Sequence, residues 1–537
     1  MSKIDSDATP AGHPAAPARG GQAGLAEEDR ALVPVAPLPK AIAMIIMVAA
    51  TMLVALDQTI ATVALPHMQA ALGATPESIN WVLTSYIIAT AVGAPMTAWL
   101  AGRLGRRRMF GACVLGFTLA SMLCGIAITL PMMVAARLFQ GFFGAFIIPM
   151  AHAFMYDMNP PSRQVRAITI WGFATMLGPI LGPVVGGWVT DAFNWRWVFF
   201  LNVPIGIVAL IGIFIALPDF PSPRRVFDHV GFAMIVVALC GLQLALDRGT
   251  QQDWFESPEI LVEFAISISA FWMLIFHLGR SPTPIISVSL FANRTFTSAI
   301  TISAIVVPII VAANALLPSL LVILLGYPVY LAGVALIPRG VALAVAILIG
   351  GQMMRRIDGR YQLSIGMMLV IASLAVQTGF SVQMDWTTVF WSGVLQGLGT
   401  GLMMTVLNFA VVASVPAALR TEAAALSALF RNVGTSLAIA VFTALLARNI
   451  QINHAEIGAM LGSNGTPLAM LKALSRVNIA EQAAALANAE VTRQAMMVAY
   501  IDNFWAMMWT VVCLLPILLL MKPISAKGAK AEPAGLE

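Results

Sequence analysis

The sequence predicts an all-α integral membrane protein with fourteen transmembrane helices, arranged as two six-helix bundles with two helices inserted between them. Three observations lead there. The 537 residues are 59% hydrophobic and only 10% charged, with a mean hydropathy of +0.87, where a soluble chain carries about 25% charged residues. The apolar residues fall into blocks of roughly 18 to 28, long enough to cross a bilayer, and most lack the polar face of a buried soluble helix. Two stretches of the first half also return, in order, in the second.

Residues 1–40, with the run ATPAGHPAAPARGGQAG, have the Ala/Pro/Gly-rich composition of a disordered tail. They do not read as a signal peptide, because the apolar run that follows is too long and too far from the start. Spans then read at 41–66, 79–101, 109–130, 132–156, 166–190, 197–217, 230–247, 260–279, 298–325, 332–353, 362–381, 387–413, 423–447 and 499–521. These divide the chain into a bundle at 41–217, a linker with two extra spans at 218–297, a second bundle at 298–521 and a tail at 522–537.

Alternate connections hold Arg103, Arg106, Arg107 and Arg108, then Arg163 and Arg166, Arg224 and Arg225, Arg280 and Arg294, Arg355, Arg356 and Arg360, and Arg420. The intervening ones hold few. Positive residues stay inside, so the first set and both termini are expected in the cytoplasm. The net charge of +5 follows from these arginines and calls for no nucleic-acid partner. Cys113, Cys124, Cys240 and Cys513 all lie in apolar spans without metal-site spacing and read as free buried thiols. Trp195 and Trp197 suit the outer interface. The one long external loop, 449–498, contains IAEQAAALANAEVTRQAMMVAY, an amphipathic helix joined to the last span. It serves either as a connector or as a partner-binding element.

LFQGFFGAFIIPM (138–150) is echoed by VLQGLGTGLMMTV (394–406), and WLAGRLGRRRMFGACVL (99–115) by LIGGQMMRRIDGRYQLSIG (348–366). Repeats in the same orientation imply two halves related by an axis along the membrane normal, which is a transporter architecture.

Charges inside the spans carry the chemistry. Asp57 and Arg137 lie at depths that differ by about one helical turn. Each alone would cost roughly 2.5–3.5 kcal/mol in the bilayer, so they should face an interior and find partners. Burial favours the neutral form of a carboxyl group and a nearby arginine favours the charged form. A group pulled both ways can exchange a proton when the geometry changes; the alternative is a static ion pair. Gly393 stands where the repeat would place a second Arg137. Arg339 and Arg431 are further intramembrane charges, Arg339 a cavity-lining candidate and Arg431 within reach of the cytoplasmic face by snorkelling.

Gly178, Gly182 and Gly186 form one smooth helix face, with Pro179 and Pro183 interleaved and Gly187 following. That composition suits a helix that bends or slides against the other half. The RLGRRRMF loop suits a topology signal, or a latch pairing with an acid such as Asp157. Trp81, Tyr86, Gln140, Trp171 and Phe173 are candidate cavity residues, although packing explains any one aromatic as well. The absence of charge around them points to an apolar or amphipathic substrate. No lysine follows a glycine, so there is no phosphate-binding loop. No H-E-x-x-H or G-x-S-x-G motif appears, and His67, His152 and His277 read as structural. Nothing suggests an enzyme.

LDQTIATVALP (56–66), WLAGRLGRRR (99–108), RLFQGFFGA (137–145), GPILGPVVGGW (178–188) and WRWVFFLNVPIG (195–206) resemble, in order, the motifs of the fourteen-helix drug:proton antiporters of the major facilitator superfamily, EmrB-type pumps of Gram-negative inner membranes above all. LDRGTQQDWFESPEI (246–260) resembles that subgroup too. The resemblance implies that Asp57 is the coupling acid and Arg137 the arginine linked to proton transfer. It implies that Gly178, Pro179, Gly182, Pro183, Gly186 and Gly187 form the antiporter motif, and Arg103, Gly105, Arg106 and Arg107 the loop motif. The family's common loop aspartate is Gly102 here, which places a latch built on that carboxylate in question. The expected function is export of hydrophobic or amphipathic compounds across the inner membrane, driven by the proton gradient without a cofactor. A periplasmic adaptor and an outer-membrane channel would be partners, with the helix near 480–498 a natural docking element. A dedicated exporter of one metabolite or siderophore, or a non-transporting sensor, is the alternative.

Overall fold

The computed structural model describes residues 37–75, 78–218, 226–249, 252, 254–463 and 480–523. Most of the N-terminal tail, the middle of the 449–498 loop and nearly all of the C-terminal tail lie outside these. The described residues contain helices and no strand.

The chain order is α1 (Pro37–Leu72), α2 (Ser78–Leu104), α3 (Arg106–Gly125), α4 (Leu130–Asp157), α5 (Pro161–Ala192), α6 (Trp197–Ala216), α7 (His229–Gly249), α8 (Pro258–Arg280), α9 (Arg294–Ile323), α10 (Leu331–Met353), α11 (Gly359–Thr378), α12 (Trp386–Ala413), α13 (Arg420–Ser463) and α14 (Ala480–Leu514). Thirteen helices among the described residues are long and apolar enough to cross a membrane. The remaining one, α5, has 32 residues, also a spanning length. Three helix starts carry a side-chain cap: Thr129 Oγ1 accepts from Met132 N, Asn293 Oδ1 from Thr295 and Phe296 N, and Asp358 Oδ1 from Arg360 N. Between α2 and α3 the chain turns in a single residue, Gly105, whose φ of 82° favours glycine.

The pairing of helices repeats. In the first half α1 packs on α5, and α4 on both α2 and α3; in the second α9 packs on α13, and α12 on both α10 and α11. The closest approaches use glycine. A side chain at Gly141 would meet the Tyr86 backbone, and one at Gly178 or Gly186 would meet Ala55 or Ile60 of α1. The glycine face of α5 therefore seats against α1 of its own bundle rather than against the other half, because the small Ala55 and Thr59 let the backbones close. Pro179 and Pro183 fall within the continuous helical run of α5.

Helices α7 and α8 form a hairpin that rests on α2 and α13. One end is tied by Arg248, which pairs with Glu259 and Glu263 at 2.6 and 2.7 Å. At the other end Asp228 accepts from the Gly231 amide at 2.8 Å, meets His277 Nε2 at 2.8 Å and accepts from the Ile285 amide at 3.2 Å. Burial pushes the Asp228 carboxyl up, but these partners outweigh it and hold it below the usual carboxylate range. The outer face of α8 shows Val262, Ile268, Phe271, Trp272 and Met273 to the surroundings, as a lipid-facing helix should.

The 423–447 span runs further than its apolar residues require. Helix α13 has 44 residues and α14 has 35, about 66 and 52 Å at 1.5 Å per residue, against a hydrocarbon core of about 30 Å. Both project beyond the bilayer as helices and touch there, His454 Nε2 lying 3.1 Å from Asn488 Oδ1.

Candidate functional site

Asp57 sits in the interior of α1, far from either end, where no free backbone donor can reach its carboxylate. Its partners come from neighbouring helices. Arg137 Nη1 of α4 donates to Asp57 Oδ2 at 2.6 Å and to Gln140 Oε1 at 2.7 Å. Gln140 Nε2 and Asn202 Nδ2 of α6 both donate to Asp57 Oδ1 at 2.8 Å. Arg137 Nε donates to the Val82 carbonyl of α2 at 3.1 Å, and its guanidinium lies 4.3 Å from the Tyr86 ring centre. From α3, Ser121 Oγ accepts from Asn202 at 3.0 Å and donates to the Phe199 carbonyl at 2.9 Å, while the Cys124 thiol donates to Gln140 Oε1 at 3.4 Å. Asp57, Arg137, Gln140, Asn202 and Tyr86 are each no more than 1% exposed.

Five helices thus converge on one carboxylate. A buried ion pair offsets its desolvation only when its remaining hydrogen bonds are made, as they are here by three donors to two oxygens. Protonating Asp57 would remove the counter-ion of Arg137 and reduce the acceptor capacity that holds α4 and α6 to α1. The arrangement can therefore convert the gain of one proton into a change in helix packing.

The sequence singled out Asp57 and Arg137, which the structure joins, and Gln140 and Tyr86 as cavity residues, which it places around that pair. Asn202 and Ser121 were not singled out. As uncharged residues in apolar runs they carry little signal; the one available was a lone polar residue five positions into the sixth span. Trp81 does not join the cluster and is 40% exposed. Trp171 stacks on His152, with ring centres 4.5 Å apart, and donates to Thr51 Oγ1 at 3.1 Å. Arg339 and Arg431 lie in the second half, on α10 and α13, away from Asp57, and neither is in an ion pair among the described residues.

The loop between α2 and α3 builds a second ionic feature. Asp157, at the end of α4, accepts from Arg106 Nη1 through Oδ2 and from Arg420 Nη1 of α13 through Oδ1, both at 2.7 Å. Arg106 belongs to the first half and Arg420 to the second, so one carboxylate fastens the halves together. Arg420 also lies 4.5 Å from the Tyr156 ring centre, and Tyr156 meets Phe409 at 5.9 Å. Arg107 instead donates to the Phe214 carbonyl, and Arg103 lies over Trp99. Close by, a side chain added to Gly351 of α10 would meet Thr169 of α5, and a crevice of about 220 Å³ lies between α5, α10 and α12. These contacts close the halves at the arginine-rich end.

A family model described as Major Facilitator Superfamily matches residues 47–439. The chain is 28% identical over 484 residues to Multidrug export protein EmrB of Escherichia coli (strain K12), covering 89% of this chain and 94% of that one. It is 30% identical over 473 residues to Fatty acid resistance protein FarB of Neisseria gonorrhoeae, covering 87% and 93%. Among solved structures, the proton:xylose symporter XylE shares the fold with a TM-score of 0.58 at 12% identity, over 91% of this chain and 97% of that one. The helix pairing, the repeat and these matches agree: the chain is a multi-pass membrane transporter that belongs to the major facilitator superfamily, among its EmrB-type proteins.

Proposed function

We propose that this transporter is a proton-coupled antiporter that exports hydrophobic or amphipathic compounds from the cytoplasm across the inner membrane by alternating access. It uses the proton gradient and no cofactor. The observation that carries the reading is the Asp57–Arg137 pair, fully buried and hydrogen-bonded across four helices, since a static scaffold has no need of so costly a charge. With the arginine-rich loops in the cytoplasm, the Arg106–Asp157–Arg420 contacts hold the cytoplasmic side shut. A proton arriving from outside would neutralise Asp57, loosen α4 and α6 from α1 and bias the halves toward the opposite state; release inside would restore the pair.

The relatives favour this class of cargo: one is named for multidrug export and one for fatty acid resistance. The second name keeps open a narrower exporter dedicated to one kind of compound. As in EmrB-type systems generally, an adaptor and an outer-membrane channel would complete the route, and the projecting ends of α13 and α14 are where we place the adaptor.

The test is substrate-stimulated proton flux in proteoliposomes under an imposed pH gradient, comparing the wild type with Asp57→Asn. Coupled fluxes in the wild type, and substrate binding without coupling in the variant, are expected. Coupling that survives in Asp57→Asn moves the acid elsewhere and reduces Asp57 to a structural partner.

A further inference from the structure

The two halves differ in how their buried arginines are balanced. Aligning LFQGFFGAFIIPM on VLQGLGTGLMMTV puts Gly393 where the first half has Arg137, and Gln396 where it has Gln140. The arginine is not lost from the second half; it is supplied from the facing helix. A Cβ built on Gly393 of α12 would lie 3.6 Å from the Cβ of Arg339 on α10, and α10 packs on α12 as α2 packs on α4. The acid has no such replacement. Helix α9, which packs on α13 as α1 packs on α5, contains no Asp or Glu.

The consequence is visible in the hydrogen bonds. In the first half Arg137 Nη1 and Gln140 Nε2 each hold one oxygen of Asp57. In the second, Arg339 Nη1 and Gln396 Nε2 are buried donors with no acceptor among the described residues. Gln396 is 1% exposed, and Arg339 is partly exposed as a residue although its Nη1 is buried, so a carboxylate reaches the two donors when the helices over them part. Arg431 on α13 adds a second positive charge, also without an ion pair among the described residues, and lies within electrostatic reach of His152 across the two halves. The first half is internally neutral at its buried pair; the second carries two arginines that are in no ion pair among the described residues.

We propose that Arg339 and Gln396 seat the carboxylate of an amphipathic anion, so that the cargo brings to the second half the acid that Asp57 provides in the first. The proposal rests on the exporter reading above and names the head group that the exporter recognises. A guanidinium offers a carboxylate a planar pair of donors, and the adjacent amide supplies a further one. In a low-dielectric site the field of Arg339 draws an anion and repels a cation, and a neutral head group leaves the donors poorly satisfied. The apolar helix surfaces around them take the tail.

The test uses one tail with three head groups: dodecanoate, dodecanol and dodecyltrimethylammonium, bound to the full chain in lipid nanodiscs. The wild type should bind dodecanoate at least about tenfold more tightly than the other two. Arg339→Gln and Gln396→Leu should abolish that preference while leaving dodecanol affinity within about twofold, and Arg339→Lys should restore part of it. The proposal is overturned if the wild type holds the alcohol or the ammonium as tightly as the carboxylate, or if Arg339→Gln weakens all three alike. If a variant does not fold, the wild-type series still decides. In proteoliposomes, export of the ammonium or the alcohol but not of dodecanoate refutes this proposal alone; movement of none of the three, and of no protons, refutes the exporter reading with it.

Discussion

At the scale of single residues, the network around Asp57 makes unequal demands on its members. Arg137→Met would leave a buried carboxylate without its counter-ion and should destabilise the protein by about 3–5 kcal/mol. Asp57→Asn takes the counter-ion from Arg137 but leaves it two acceptors, Gln140 Oε1 and the Val82 carbonyl, and keeps an amide oxygen that can accept from Gln140 and Asn202, so its loss of stability should be smaller and its main effect should fall on coupling. Thermal unfolding of both variants in nanodiscs checks the order; a larger loss in Asp57→Asn would contradict it. Asn202→Leu removes a direct donor to Asp57 Oδ1 and should lower proton-coupled transport about tenfold or more, with the chain still inserted and folded. The charges of this site were legible in the sequence because a carboxylate or guanidinium inside an apolar run cannot be accidental. Asn202 and Ser121 were not, because an amide or hydroxyl is tolerated in a membrane helix and only the fold brings them to the acid.

At the scale of elements, the spans could be read because length and apolarity set them directly, and their ends agree with the helices to within about six residues except at α13 and α14. Helix α13 continues into polar sequence, where hydropathy no longer marks it and only the continuity of backbone hydrogen bonds does, whereas the extension of α14 is the amphipathic helix that the sequence joins to the last span. The partners of the α5 glycines were likewise illegible, since a smooth face says that a neighbour comes close and not which one. A side chain at Gly182 would collide with Thr59, so Gly182→Val should push α5 from α1, costing roughly 1–3 kcal/mol and lowering transport. A cysteine pair at Ala55 and Gly178 would report the separation by its cross-linking yield. The α7–α8 hairpin has its own dependence on acidity. Because Asp228 is held below the usual carboxylate range in the folded protein, its contribution is present above that range and disappears as pH falls through the lowered value. Hydrogen exchange in α7 and α8 should therefore quicken on strong acidification, and Asp228→Asn should show the faster exchange already at neutral pH.

At the scale of the whole molecule, the ion pairs at Asp157 link the two halves at the arginine-rich face. Arg420→Gln breaks the link between halves while leaving Arg106 on Asp157. Losing about 1–3 kcal/mol there should raise the population open at the arginine-rich face by a factor of roughly 5 to 150. Labelling of a cysteine placed at Thr169, beside Gly351, would measure it; unchanged labelling would mean that the halves are held by packing alone. The same arginine begins α13, a helix of 44 residues with no proline within it. One end is clamped in the closure between the halves, and the other stands clear of the opposite face of the bilayer. A rod about 66 Å long that pivots near its middle by about 10° swings each end by about 6 Å. Releasing Arg420 at one surface would thus be felt mechanically at the far one, and anything seated on the projecting end would sense whether the arginine-rich end is closed without touching cargo or proton.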